Sequence, residues 1–284
     1  MFTVLEAINK STDFLQKKGI ESARTNAELL LASILRCKRL DLYLKFDRPL
    51  DESEISAYRE FIRRRSTFEP LQYITGSVEF FNLKLKVTPD VLIPRPETEL
   101  LVEAIIETVK NNNEISFLDI GTGSGAIAVS LAYKILNSKL MALDISNKAL
   151  IVAKENAKRY NLEDRINFIQ FDILQDDFHE LGKFDVVVSN PPYVSAEEYK
   201  SLQKEIRDFE PAEAVSDFED GFKYYSAISE KSNSVLKEKG LLFFELEANS
   251  SQRVEKIMIE NNFMNIKKIK DYSGIDRIIY GIKK

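Results

Sequence analysis

A chain of 284 residues suits one catalytic domain with a smaller attachment, and 44% hydrophobic with 30% charged residues, free of repeats or low-complexity tracts, is the composition of a folded protein. A single histidine and a single cysteine exclude a His/Cys metal cluster, a Cys–His pair and an internal disulfide; a Ser–His–Asp triad would rest on His179 alone, in the acidic stretch 176–180 where a solvated surface histidine is the ordinary reading. The net charge of −5 argues against gripping long nucleic acid by bulk electrostatics, no apolar run approaches the roughly 20 residues that cross a bilayer, and residues 1–6 lack the basic start and apolar stretch of a signal peptide, so a cytoplasmic protein is expected.

The first 70 or so residues read as helices. Val4, Ile8 and Leu15 recur near helical spacing ahead of Gly19, a C-terminal stop, and Ala27, Leu30, Leu31, Ile34 and Leu35 form a second apolar stripe. Asp51, Glu52, Ser53 and Glu54 resemble a capping box, with Ile55, Tyr58 and Ile62 at helical spacing behind it. These segments predict a small helical bundle. Residues 1–75 hold 13 basic and 11 acidic side chains, about +2, against 27 and 34, about −7, in the remainder. Arg63-Arg64-Arg65 is the one compact basic run, and the solvated side of an amphipathic helix accounts for it as well as a docking role does.

Between residues 73 and 87 the period changes. Phe81, Leu83, Leu85 and Val87 alternate with Asn82, Lys84 and Lys86 after a Gly76-Ser77 break, which predicts a β-hairpin linker. From Pro96 onward strands and helices alternate, with strand candidates at 116–120, 139–144, 166–170, 184–189 and 240–246; such a βαβ series implies a mainly parallel sheet covered on both faces. Residues 263–270 and 277–282 are two further strands joined around Ser273-Gly274, a turn too short for a crossover helix, so they should pair antiparallel.

The strongest local motif is Asp119-Ile120-Gly121-Thr122-Gly123-Ser124-Gly125-Ala126, a strand running into a glycine-rich turn that opens a helix, where a cofactor can approach the backbone more closely than a Cβ would permit. It fits the dinucleotide fingerprint G-x-G-x-x-G/A, with Asp144 about 20 residues on as a ribose-binding acid. Read as Asp119-x-Gly121-x-Gly123-x-Gly125, it equally resembles the first motif of class I methyltransferases, and a purely structural turn is the remaining account. The other strand ends favour the methyltransferase, because ligands of an open parallel sheet bind at its carboxyl ends. Asp144 is expected to accept from the ribose hydroxyls, and Asp172 from the adenine amino group, while Ile173 offers the ring an apolar face.

Strand 184–189 runs into Asn190-Pro191-Pro192-Tyr193. An Asn-Pro pair is often a plain turn. After a strand end beside a cofactor turn, however, two successive prolines fix the backbone and leave carbonyls without competing N–H donors. The Asn190 side-chain oxygen and the Pro191 carbonyl are placed to take the two hydrogens of a planar NH2 group, with the Tyr193 ring over its face, a geometry for an amide or an aromatic amine.

These residues resemble the (Asp/Asn)-Pro-Pro-Tyr motif of amino-methyltransferases, which act on adenine N6, cytosine N4 and glutamine amides. Within that group the chain looks most like the HemK-type glutamine-N5 methyltransferases of peptide chain release factors, over nearly all 284 residues. Beyond the motif, the resemblance rests on Ile93-Pro94-Arg95-Pro96-Glu97-Thr98-Glu99, Phe209-Glu210-Pro211, Asp220-Gly221 and the closing Asp276-Arg277. It implies an α/β fold of the class I, Rossmann-like kind: a seven-stranded, mainly parallel sheet with an antiparallel last strand in residues 89–284. Ahead of it come a helical substrate-recognition domain in 1–72 and a linking β-hairpin in 73–88. It implies S-adenosyl-L-methionine as cofactor, S-adenosyl-L-homocysteine as product and no metal. Cofactor contacts would come from Asp119, Gly121, Thr122, Gly123, Ser124, Gly125, Asp144, Asp172, Ile173 and Asn190. Asn190, Pro191, Pro192 and Tyr193 would be catalytic and, with Arg95 and Pro96, would hold the substrate, the glutamine of a Gly-Gly-Gln loop. Release factors would be the protein partners of a monomeric enzyme that contacts neither membrane nor nucleic acid directly, with Arg63, Arg64 and Arg65 as reasonable contacts. The rivals are an adenine or cytosine methyltransferase of nucleic acid, an NAD-dependent oxidoreductase and a noncatalytic adaptor.

Overall fold

The computed structural model describes residues 2–110 and 114–284; Met1, the first residue of the segment weighed as a leader, lies outside them. The helices are α1 (Val4–Lys17), α2 (Ala23–Ile34), α3 (Glu52–Arg65), α4 (Leu71–Thr75), α5 (Pro96–Val109), α6 (Ala126–Lys134), α7 (Asn147–Arg159), α8 (Ala196–Tyr199), α9 (Lys204–Phe209), α10 (Ala212–Val215), α11 (Lys223–Val235) and α12 (Ser251–Glu260). The strands are β1 (Ser77–Phe80), β2 (Leu83–Lys86), β3 (Ile115–Ile120), β4 (Ser138–Asp144), β5 (Ile166–Gln170), β6 (Phe184–Ser189), β7 (Leu236–Glu245), β8 (Phe263–Lys270) and β9 (Asp276–Lys283). By contacts the chain divides into two compact units: one runs to Ser77 and includes Gln203–Phe209, and the other comprises Val78–Leu202 and Glu210–Lys284.

In the first unit α1 and α3 each begin with a reciprocal capping box, Thr3 with Glu6 and Asp51 with Glu54, which satisfies amides that a helix start leaves without partners. The apolar stripes read from the sequence meet in one core, in which Val4, Ile8, Leu15, Ala27, Leu30 and Leu31 pack with Tyr58 and Ile62. The three arginines of α3 have separate fates. Arg63 pairs with Glu60 at the surface and Arg64 with Glu69. Arg65 is 4% exposed and holds Asn26 Oδ1, the Glu69 carbonyl and the Glu205 carboxylate. Arg65 is thus engaged inside its own unit, which leaves Arg63 as the exposed member of the run.

Glu28 is also buried there, and its carboxylate receives Arg24 Nε at 2.9 Å, Arg39 Nε at 2.6 Å and the Tyr43 hydroxyl at 3.2 Å. Burial alone would raise its pKa, but the bonds from Arg39 and Arg24 outweigh that and hold it below the ordinary 4.5. Glu28→Ala is expected to cost about 1–3 kcal/mol, the worth of charge-assisted hydrogen bonds, and not the larger penalty of a stranded buried charge, because both arginines are nearly half exposed and return to water. A depressed folded-state pKa gives stability that is present above the unfolded value and lost as pH falls through the folded one. The gap between wild-type and variant melting temperatures should therefore close on acidification below about pH 4, in the range where carboxylates protonate.

The second unit is built on a seven-stranded sheet in the order β5-β4-β3-β6-β7-β9-β8. All pairs are parallel except those made by β9, which runs antiparallel to β7 and β8. Alternation along each strand divides the core. Phe117, Val186, Val188 and Phe243 face α5, α6 and α7, whereas Leu118, Val187, Leu242 and Phe244 face α11 and α12. The chain lays down β3, β4 and β5 outward and then returns to place β6 on the other side of β3, so the strand order reverses between β3 and β6. A crevice opens outside the carboxyl ends of strands at such a reversal.

The hairpin differs in detail from its sequence pattern. Gly76, at φ 71°, ends α4, and residues 73–75 are helical. Phe81 and Asn82 take φ 49° and 60°, forming a two-residue turn of the kind whose twist suits a hairpin, so the regular alternation starts only at Leu83. Phe81 carries the turn strain with its ring packed on the core and Lys134 Nζ 5.5 Å from the ring centre. The outer edge of β2 is covered by α7: Asn156 Oδ1 accepts from Lys86 N, its Nδ2 donates to the Lys86 and Ser124 carbonyls, and the Tyr160 hydroxyl accepts from Lys84 N.

Candidate active site

Ile120 and Ser189 are register partners at the ends of β3 and β6, and Ser189 Oγ donates to the Ile120 carbonyl at 2.8 Å. The glycine turn and the Asn190 loop therefore leave the sheet side by side. Between them lies a cavity of about 330 Å3, within the range of small-molecule sites. Gly121, Gly123, Asp144, Asp172, Ile173, Asn190, Pro191 and Pro192 line it, which brings together eight of the residues singled out in the sequence.

The other members of the glycine turn stand behind the wall. Asp119, Thr122 and Ser124 are buried, and Thr122 Oγ1 donates to Asp119 Oδ2 at 2.6 Å. A Cβ on Gly125 would come within 3.1 Å of Ala153 on α7, so that glycine serves helix packing. Burial pushes the Asp119 carboxyl up to about 7, a shift only partly opposed by the Thr122 bond. Tyr193, Arg95 and Pro96 are not in the cavity wall. Arg95 Nη2 binds Glu210 Oε1 at 2.6 Å, and Glu210 Oε2 accepts from Ile93 N, which joins two segments that the sequence reading had noted separately. Tyr193 packs on the α11 and α12 side of the core, where burial raises its phenol above the ordinary 10 and keeps it neutral.

The wall chemistry discriminates between the cofactors considered above. The amides of Gly121 and Thr122 donate to the Leu143 carbonyl, that of Gly123 to Asp144 Oδ2, and that of Gly125 to the Thr122 carbonyl. The turn thus offers close approach, with open space where a Cβ would stand on Gly121 or Gly123, in place of a row of free donors. Asp90, Asp144, Asp172 and Glu213 line the cavity, and among the described residues no lysine, arginine or histidine does. A pyrophosphate would face four carboxylates; a sulfonium and an amino group meet complementary charge. Asp144 accepts from Gly123 N and Ser146 N at 2.8 and 2.9 Å, and its four lone-pair sites leave room for ribose hydroxyls. Burial raises its pKa, with the two amide bonds opposing. Ile145, Phe171 and Ile173 supply apolar surface for a base.

Asn190 Nδ2 donates to Thr98 Oγ1 at 3.2 Å. Thr98 is a buried residue of α5 within the Ile93–Glu99 segment. The sequence named it only as part of that segment, without a role of its own, and did not point to Phe171, Ile145 or Tyr224 in the wall. Phe171 and Ile145 had a usable signal, since each adjoins an acid at or just after the end of a strand.

Residues 6–76 match the PrmC N-terminal domain and residues 96–209 the methyltransferase small domain. A release factor glutamine methyltransferase of Fusobacterium nucleatum is 38% identical over 283 residues, 98% of this chain and 78% of that protein. The chain belongs to the release factor glutamine methyltransferase family. A second member, from Chlorobaculum tepidum, is 38% identical over 284 residues, 98% of this chain and 96% of its own length. A methyltransferase from Pyrococcus furiosus shares the fold, with a TM-score of 0.52 at 20% identity over 72% of this chain and 90% of that one. As a family member the chain is an enzyme that uses S-adenosylmethionine, in keeping with the acidic cavity, and the class I fold implied by its motifs is present.

Proposed function

We propose that the enzyme methylates the side-chain amide nitrogen, N5, of the glutamine in the Gly-Gly-Gln loop of peptide chain release factors. The observation that carries this reading is the placement of Asn190 and Pro191 in the cavity wall, beside the glycine turn at the sheet's reversal point. The names borne by relatives 38% identical over nearly the whole chain supply the choice of glutamine over a nucleobase.

An amide nitrogen is a weak nucleophile because its lone pair is delocalised into the carbonyl. When bound, S-adenosylmethionine supplies a methyl group already activated on a sulfonium. The task left to the protein is positioning. Asn190 Oδ1 and the Pro191 carbonyl accept the two hydrogens of the substrate NH2, hold the nitrogen facing the cavity and stabilise the positive charge that builds on it. Fixing such a geometry is worth up to about 7–11 kcal/mol. Tyr193, packed against the core behind the wall, backs the loop that carries these acceptors; as a neutral phenol it takes no proton. Gly121, Gly123, Asp144, Asp172 and Ile173 hold the cofactor, while Asp119, Thr122, Ser124 and Gly125 shape the turn from behind. Arg95 and Pro96 bear on the substrate through the strap that Glu210 fixes. The helical unit engages the factor away from its loop. Such an enzyme works in the cytoplasm with its substrate, and no helix among the described residues is long and apolar enough to cross a membrane.

Incubation with methyl-labelled donor and a purified release factor, followed by mass spectrometry of the Gly-Gly-Gln peptide, tests the proposal. One methyl group on the glutamine is expected. Label on DNA or RNA, and none on the factor, would replace it with the nucleobase reading.

A further inference from the structure

A 3-10 helix of seven residues, Arg39–Lys45, lies between α2 and α3 in the helical unit. Helices of this kind rarely exceed about four residues, because their hydrogen bonds are poorly aligned, so this one needs support from outside itself. Its inner side supplies that support. Leu42 is fully buried in the helical core, and the buried Glu28 carboxylate holds Arg39 Nε at 2.6 Å and the Tyr43 hydroxyl at 3.2 Å. Asp41 Oδ2 accepts from Lys38 N at 2.9 Å across the first turn, and the Tyr43 ring rests against Phe46 with centres 5.0 Å apart. Glu28 thus has a use beyond stability, since it fixes the backbone from which the outer side chains project.

The outer side is apolar. Leu40 is 76% exposed, Leu44 88% and Tyr43 45%. A lone exposed leucine is ordinary. Three large side chains between residues 40 and 44, at a rise of about 2 Å per residue, make one patch, and a clustered apolar patch marks a surface that a partner covers. A backbone already fixed loses little freedom when that happens. Arg36, Lys38 and Lys45 stand exposed around the patch, so the complementary face is apolar with carboxylates at its rim. Leucines offer a nucleic acid neither a hydrogen bond nor a plane on which bases stack, which favours a folded protein as the occupant.

We propose that Leu40, Tyr43 and Leu44 anchor the enzyme to the body of the release factor, on an acid-rimmed apolar face of the factor, while its glutamine loop is handled by the cavity. The inference deepens the amide-methylation reading above and rests on it. None of the three residues lines the cavity. Their contacts are therefore the same before and during methyl transfer, and such uniform binding lowers KM and leaves kcat unchanged.

The test measures methylation of a whole release factor by the full chain, as wild type, Leu40→Ser, Leu44→Ser, the double variant and Leu136→Ser. Leu136, 78% exposed in the second unit, is the control for loss of a surface leucine. Melting temperature and titration with S-adenosylhomocysteine should be unchanged in every variant, because the side chains removed face water. Each substitution in the patch should raise KM for the factor about 10-fold and the pair about 100-fold, the scale of residues at the centre of an interface. The calorimetric Kd for the factor should move with KM, kcat should stay within about two-fold, and Leu136→Ser should match the wild type throughout. KM and Kd unchanged in the double variant would overturn the proposal, and so would a loss confined to kcat, since the leucines would then act on the chemistry. A wild type that sediments as a dimer, with the double variant a monomer, would assign the patch to a second copy and also overturn it. A wild type that leaves glutamine unlabelled removes the amide reading and this inference together, whereas a wild type that labels it, beside a double variant of unchanged KM, removes this inference alone.

Discussion

Replacing Asn190 with alanine is expected to slow methyl transfer by about 10²- to 10³-fold, roughly 3–4 kcal/mol of transition-state stabilisation, with affinity for S-adenosylhomocysteine held within a few-fold. The split follows from the geometry. Asn190 is one of many residues in the cavity wall, and Gly121, Gly123, Asp144 and Asp172 hold their positions without it. Asn190 Oδ1 and the Pro191 carbonyl are the two acceptors proposed for the substrate NH2, and the Pro191 carbonyl survives the substitution. The remaining rate should therefore reflect one acceptor in place of two. Rapid-mixing single-turnover kinetics with labelled donor, set beside calorimetric titration of the product, separates chemistry from binding. Full activity in the variant would show that this loop does not hold the acceptor nitrogen.

Gly221→Ala should have an effect of similar size from a residue that touches neither substrate nor cofactor. Gly221 has φ +84°, and a Cβ there would overlap the Tyr193 carbonyl oxygen and come within 3.4 Å of its carbon. The stretch after Tyr193 cannot yield freely: Val194 N donates to the Val215 carbonyl, Ser216 Oγ to the Val194 carbonyl, and Ala196 N to the Glu219 carbonyl. The substitution should push the active-site loop and lower turnover by about 10²-fold, the cost of a displacement near 1 Å. Its backbone strain alone is about 1–2 kcal/mol. Gly182→Ala supplies the control, since Gly182 also has positive φ but open space around the new Cβ. A comparable drop in melting temperature in both variants, with turnover lost only at residue 221, is the expected pattern; equal turnover in the two would show that the contact with Tyr193 does not matter.

Much of this architecture was legible because its signals are local. Residues 184–189 carry the apolar, β-branched run Val186-Val187-Val188 ahead of the Asn190-Pro191 break, and they form β6 at those bounds. Asp144, which ends β4, and Asp172, which follows β5, sit in the cavity wall as their chain positions suggested. Other features depend on tertiary contacts. Thr98 stands in the sequence only as one member of the segment 93–99, and only packing places its hydroxyl on Asn190. Phe81 belongs by pattern to a strand, yet it takes a left-handed turn conformation because the two-residue loop requires it. Arg65, one of three like neighbours, is buried because Asn26 and Glu205, far off in sequence, close around it. Nothing in residues 203–209 announces that they group with the N-terminal helices.

That last grouping bears on how the protein can be cut and recombined. The chain passes from one unit to the other at residues 77/78, 202/203 and 209/210, so the helical unit is not a bead on a single string. A fragment ending at residue 77 would strip Arg65 of the carboxylate it binds and uncover the ring of Phe68, over which Lys204 lies. The complementary fragment would carry a six-residue helix with no surface of its own to rest on. Grafting a foreign recognition unit onto this catalytic body therefore means replacing two stretches of sequence together, the leading helices and the short insert that follows the active-site loop.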